Sequence, residues 1–183
     1  MRKFDYEVSE SIEKDEVLDR IYNPPIDLIY FFRDDSNNGL TYTFLLNTVN
    51  FPFFIVMNDD GMGFYEDFER LKLSKLVHVN DIENRSLKVF QVQSNRDLKL
   101  LMPYILFCIT NGCYGLICDC QQMHLHKIIS YNMEDKYKLK NNTDLDPNAT
   151  IYLLSDVGIR IYSNNMVLGN ISKINLFINE AFN

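Results

Sequence analysis

Apolar residues recur along the chain in two spacings, and each spacing predicts an element. Ile12, Val17, Leu18 and Ile21 fall roughly on one helical face among Glu13, Asp15, Glu16 and Asp19. That pattern predicts a surface helix over about 10–22, stopped by Asn23-Pro24-Pro25. IDLIYFFR (26–33) is dense in β-branched and aromatic side chains and predicts a strand. LTYTFLLN (40–47) reads as its hairpin partner, with Asn38-Gly39 supplying the turn. FPFFIVMN (51–58) predicts a third strand, with Pro52 at its start or on an edge.

Further along, Phe64, Phe68 and Leu71 with a basic end predict a helix over 63–76. SLKVFQVQ (86–93) alternates as a strand does, with Leu87, Val89 and Gln91 on one face. Ser94 can cap the next helix, and Asp97 favours its first turn. Leu98 to Ile109 is almost entirely apolar, which marks the central buried helix, kinked at Pro103 or starting there. YGLICDC (114–120) and HLHKIISY (124–131) read as a hairpin, and the polar stretch 132–148 as a surface loop. TIYLLSD (150–156) and GIRIYSN (158–164) form a last hairpin around Val157-Gly158. Ile171, Ile174, Phe177, Ile178, Ala181 and Phe182 mark a terminal amphipathic helix. Helices and strands are mixed, and no repeat or flexible linker divides the chain. The expectation is a single α+β domain over 1–183, with a mostly antiparallel or mixed sheet of about six to eight strands and three to four helices.

Composition narrows the class. Of 183 residues, 46% are hydrophobic and 23% charged, which excludes a disordered tail, a fibre and a small disulfide scaffold. Acidic residues number 25 against 18 basic ones, a net charge of −7. Such a surface repels phosphate backbones and anionic lipid, so the expected partner is a basic protein, not nucleic acid. No apolar stretch follows the first residues, so no secretory signal is read and a cytoplasmic location is expected. Leu100 to Cys118 is uncharged over 19 positions. Pro103, Asn111, Gly112 and Gly115 interrupt it, so two buried elements joined by a turn fit better than a membrane span.

The cysteines are clustered at 108, 113, 118 and 120. If 121–123 formed a short hairpin turn, Cys120 would face His124 and Cys118 would face His126. Strand alternation would then place all four on one sheet face. Two thiolates and two imidazoles suit zinc by ligand type. Their spacing matches none of the usual zinc pairs, and a flat strand face converges poorly on a tetrahedral centre. Cysteine as a small buried core filler is the weightier reading. A Cys–His nucleophile pair is the other chemical option there, without an identifiable oxyanion hole or orienting group. A zinc- or cysteine-dependent enzyme centred on 113–126 is therefore the alternative function.

Asp34-Asp35 and Asp59-Asp60 carry the leading one. In an antiparallel meander of 26–33, 40–47 and 53–58, both pairs would sit at one end of the sheet, roughly 10 Å apart. Tyr42, Tyr65 and Tyr162 are expected near the surface, the first two beside this acidic edge. DDSNNG places Asp34, Ser36, Asn38 and Gly39 at EF-hand positions, but Leu45 stands where the loop needs Glu. Gly61-Met62-Gly63 lacks the third glycine of a dinucleotide fingerprint, since Glu66 holds that place. The expected function is thus a non-catalytic, cofactor-free binding domain, in concrete form an immunity or antitoxin-type inhibitor of a basic toxin. A small-molecule or peptide sensor with an aromatic pocket is a third option.

Overall fold

In a computed structural model of the chain, the described residues are 6–12, 15, 18–29, 39–58, 75–76, 87–111, 115–129, 145–155 and 157–182. Among them, eight strands form one sheet. In chain order these are β1 (Glu7–Glu10), β2 (Ile26–Ile29), β3 (Phe53–Asn58), β4 (Lys75–Leu76), β5 (Leu87–Val92), β6 (Gly115–Asp119), β7 (Thr150–Ser155) and β8 (Gly158–Tyr162). Across the sheet the order is β1-β2-β8-β7-β6-β3-β5-β4, and every neighbouring pair is antiparallel. The helices are a single turn, α1 (Leu18–Ile21), then α2 (Gly39–Thr48), α3 (Asn95–Thr110), α4 (Gln122–Ile129) and α5 (Ile171–Phe182). This is the expected α+β arrangement, with its antiparallel pairing throughout.

The central strands are apolar on both faces, and the register sorts their side chains into two layers. One cross-strand row runs Phe90, Ile55, Ile117, Tyr152, Ile161 and Ile26. It packs against Phe44 and Leu45 of α2, Leu98, Leu101, Met102 and Ile105 of α3, and Ile174 and Ile178 of α5. The alternate row runs Gln91, Phe54, Cys118, Ile151 and Tyr162. Leu18 of α1, Leu125 and Ile128 of α4, and Leu145 cover that side. Asp27 and Arg160 sit opposite each other in β2 and β8, with the guanidinium bridging both carboxylate oxygens at 2.7 and 3.2 Å.

Several sequence expectations hold locally. Ser94 accepts from the Asp97 amide, while the Asp97 carboxylate accepts from Gln93, a reciprocal cap that starts α3. The helix runs on through Pro103, whose side faces solvent, so the missing N–H costs one exposed bond. Pro52 directly precedes β3, as its chemistry demands. Among the described residues no helix is long and apolar enough to cross a membrane.

Four expectations are corrected. Residues 7–10 form an edge strand, and of the helix expected over 10–22 a single turn, Leu18–Ile21, is described as helical. The segment 40–47 is α2, a helix and not a hairpin strand. Its buried positions Thr41, Phe44 and Leu45 keep helical spacing, which the apolar Tyr42 and Leu46 beside them obscure. The proposed hairpin partner 124–131 begins inside helix α4 instead. Of the helix expected over 63–76, residues 63–74 lie outside the described residues, and Lys75–Leu76 pair as strand β4 with β5.

At the β7–β8 turn, Gly158 has φ 145°, a conformation that favours glycine. A Cβ built there would lie 2.1 Å from the Leu28 carbonyl oxygen, inside the β2–β8 contact. Gly158→Ala is therefore expected to cost at least about 2 kcal/mol. Urea unfolding followed by circular dichroism measures this, and an unchanged midpoint would refute the close approach. Tyr152, buried in the core, donates its hydroxyl to the Thr48 carbonyl at 3.0 Å and ties β7 to the end of α2. Tyr152→Phe is expected to lower stability by about 1 kcal/mol in the same assay.

Candidate functional site

Because β6 runs against both β3 and β7, its last residues share a sheet end with the first residues of those strands and the last of β5. A cleft of about 490 Å³ opens there, on the side covered by α1 and α4. Phe54 and Gln91, neighbours in one cross-strand row, form part of its wall. Asp119 and Asp146 line it with Cys120, and Gln121 and Asn148 add two amides. Among the described residues, no lysine or arginine belongs to this lining.

Each element of the cleft is anchored. Asp119 ends β6, and its Oδ2 accepts from the Asn50 backbone and side-chain nitrogens at 3.1 and 2.8 Å. Asp146 begins a turn in which its Oδ1 accepts from the Asn148 amide at 2.9 Å. Its carbonyl accepts from the Tyr22 hydroxyl at 2.8 Å, which fixes the turn to the end of α1. Asn164 donates to both Ile21 and Pro147 carbonyls and braces the same corner from β8. His124, in the first turn of α4, places Nε2 4.0 Å from Asp146 Oδ2.

Behind the cleft lies a layer of buried protic groups. Tyr22 and Tyr162 meet edge to face at 6.5 Å. Burial, then the nearby Asp146 charge, raises the Tyr22 phenol well above its ordinary range. Burial pushes Tyr162 up to about 12, against the opposing pull of Arg160. Cys118 is fully buried between Phe54 and Ile151, and its thiol is raised by that burial and by a hydrogen bond with Cys120.

The sequence-derived candidates fare unequally. Cys118, Cys120 and His124 do gather at this end of the sheet. The strand alternation that would have aligned them with His126 ends at Asp119, where β6 gives way to a bend and then α4. The side chain of His126 lies outside the described residues. Among those residues, no three His, Cys, Asp or Glu side chains gather where they could hold a metal ion. Asp34, Asp35, Asp59, Asp60 and Tyr65 also lie outside the described residues. The meander that would have brought the aspartates within 10 Å does not form. β8, β7 and β6 separate β2 from β3, so the strand ends from which those segments leave are about 19 Å apart, at the sheet end opposite the cleft. Tyr42 is half-buried on α2, and its hydroxyl donates to Asn95 at the start of α3. Tyr162, expected near the surface, is a core residue, because β8 is covered by α1 on that face.

Reading the sequence missed Asp119 and Asp146. Both serve as punctuation there, one closing an uncharged run and one preceding Pro147. Their 27-residue separation hides that strand β7 returns beside β6. No protein-family model, curated protein or solved structure matches the chain.

The raised phenols set a pH dependence. A tyrosine held protonated in the native state gives stability that is complete below its unfolded value near 10 and is lost as pH rises through its folded value. Unfolding free energy is therefore expected to fall from about pH 10 upward, through the Tyr162 value of about 12. Absorbance near 295 nm should show Tyr22, Tyr152 and Tyr162 ionising together with loss of the fold. Their smooth titration near pH 10 in folded protein would contradict the packing.

Proposed function

We propose that the chain is a non-catalytic binding protein that receives a basic protein at the acidic cleft. In its most concrete form it is an immunity or antitoxin-type inhibitor of a basic toxin, acting in the cytoplasm, where clustered thiols stay reduced. The observation that carries this reading is the pairing of Asp119 and Asp146 in a cleft whose described lining holds no basic side chain. A lysine or arginine from the partner would supply the missing charge. Gln91, Gln121 and Asn148 offer neutral donors and acceptors around it. The net charge of −7 adds long-range attraction that speeds encounter with a cationic surface.

The test compares wild type with the double variant Asp119→Asn, Asp146→Asn as bait in the source-cell extract, followed by association kinetics with the protein recovered. A basic partner retained by wild type should associate about tenfold more slowly with the variant at low salt, and its salt dependence should flatten. Equal kinetics for the two baits, or a partner without a basic surface, would overturn the reading. The substitutions keep an amide oxygen where each carboxylate accepted hydrogen bonds, so a folded variant is expected.

A further inference from the structure

We propose that Cys118 and Cys120 form an oxidation site, in which hydrogen peroxide reacts with Cys120 at the cleft and Cys118 closes an intramolecular disulfide. The two residues are two apart, Cys118 inside β6 and Cys120 in the bend just past its end. Cys118 is fixed in the row between Phe54 and Ile151 with no exposed surface. Cys120 packs against the same apolar cluster, yet is only half-buried and lines the cleft. One is therefore open to a small oxidant, and the other lies buried in the apolar cluster on which the first rests. Cys108 lies in the core on the other face of the sheet and has no path to either.

The chemistry balances without a further reagent. Cys120 sulfur attacks one peroxide oxygen, the O–O bond breaks, and sulfenic acid and water form. The Cys118 sulfur then attacks that sulfur, the S–O bond breaks, and a second water leaves with the thiol proton. Each sulfur gives up one electron overall, and the peroxide is reduced. Burial keeps Cys118 as the protonated thiol until Cys120 has reacted. The product removes the thiol from the cleft wall and ties Asp119 into a small covalent ring.

The sequence offers a direct readout on the full chain. Cleavage before aspartate cuts between Cys118 and Asp119, giving fragments 97–118 and 119–134. A further cut after Tyr114 frees 115–118 from Cys108 and Cys113. Reduced protein is treated with hydrogen peroxide, alkylated under denaturing conditions, and digested. Fragment 115–118 should remain joined to the fragment that begins at Asp119, lighter by two hydrogens than the free pair and released by dithiothreitol. In Cys118→Ala, a dimedone adduct should accumulate on Cys120 instead. Recovery of alkylated Cys118 with Cys120 free or converted to sulfinic acid would overturn the proposal. So would a crosslink to Cys108 or Cys113. The wild-type map decides alone if the variant does not fold, and none of these readouts depends on the basic partner.

Discussion

Burial of β3, β6 and β7 on both faces is the constraint from which the rest follows. Phe53, Ile55 and Met57 point to one side of β3, while Phe54 and Val56 point to the other, and all five are buried. Leu116, Ile117 and Cys118 divide in the same way along β6. A sheet with two apolar faces must be covered twice, which makes three layers. Helices α2, α3 and α5 meet one face, and α1 and α4 the other. The cleft is therefore a product of the core: it opens where β6 leaves the apolar layers and its next residues become Asp119, Cys120 and Gln121.

Strand and helix patterns were legible where a single period dominated. β5, β7, β8, α3 and α5 all follow from alternation or from the helical stripe, and the Ser94–Asp97 cap marks α3 without ambiguity. Two of the misreadings share one cause. GLTYTFLLNT is apolar or β-branched at nearly every position, so period two and period 3.6 fit it equally, and Asn38-Gly39 tips the balance to a hairpin. HLHKIISY has the same ambiguity in fewer residues, since Leu125 and Ile128 serve a helix as well as His124 and His126 serve a strand. Burial by tertiary contact, in α2 against Phe177 and Tyr152, settles what local spacing leaves open.

The site was less legible than the fold for a topological reason. A sequence reading joins residues that are close along the chain, and so it selected adjacent aspartates and a local cysteine–histidine run. The local part of that run survives, as Cys118, Cys120 and His124 at one sheet end. The carboxylates of the cleft come from Asp119 and from Asp146, which are brought together by the return of β7 beside β6 and by Tyr22 and Asn164 holding the turn. None of these ties is local, and no spacing rule contains them.

How each carboxylate is satisfied separates a structural acid from one available to a partner. Asp27 faces Arg160 through two short contacts, so its charge is cancelled within the fold and its role is to join β2 to β8. Asp119 is held by two nitrogens of Asn50, and Asp146 by the Asn148 amide, all neutral donors. Neutral hydrogen bonds fix a carboxylate in place while leaving its negative charge intact. Near Asp146 lie the neutral Tyr22 phenol and His124, whose Nε2 is 4.0 Å away and partly solvated. Fixed position with uncancelled charge is what a receptor for a cation requires, because the receptor's side chains need little reordering when the partner arrives. Among the described residues, Asp119 and Asp146 are fixed without a lysine or arginine beside them, whereas Asp27 is fixed by one.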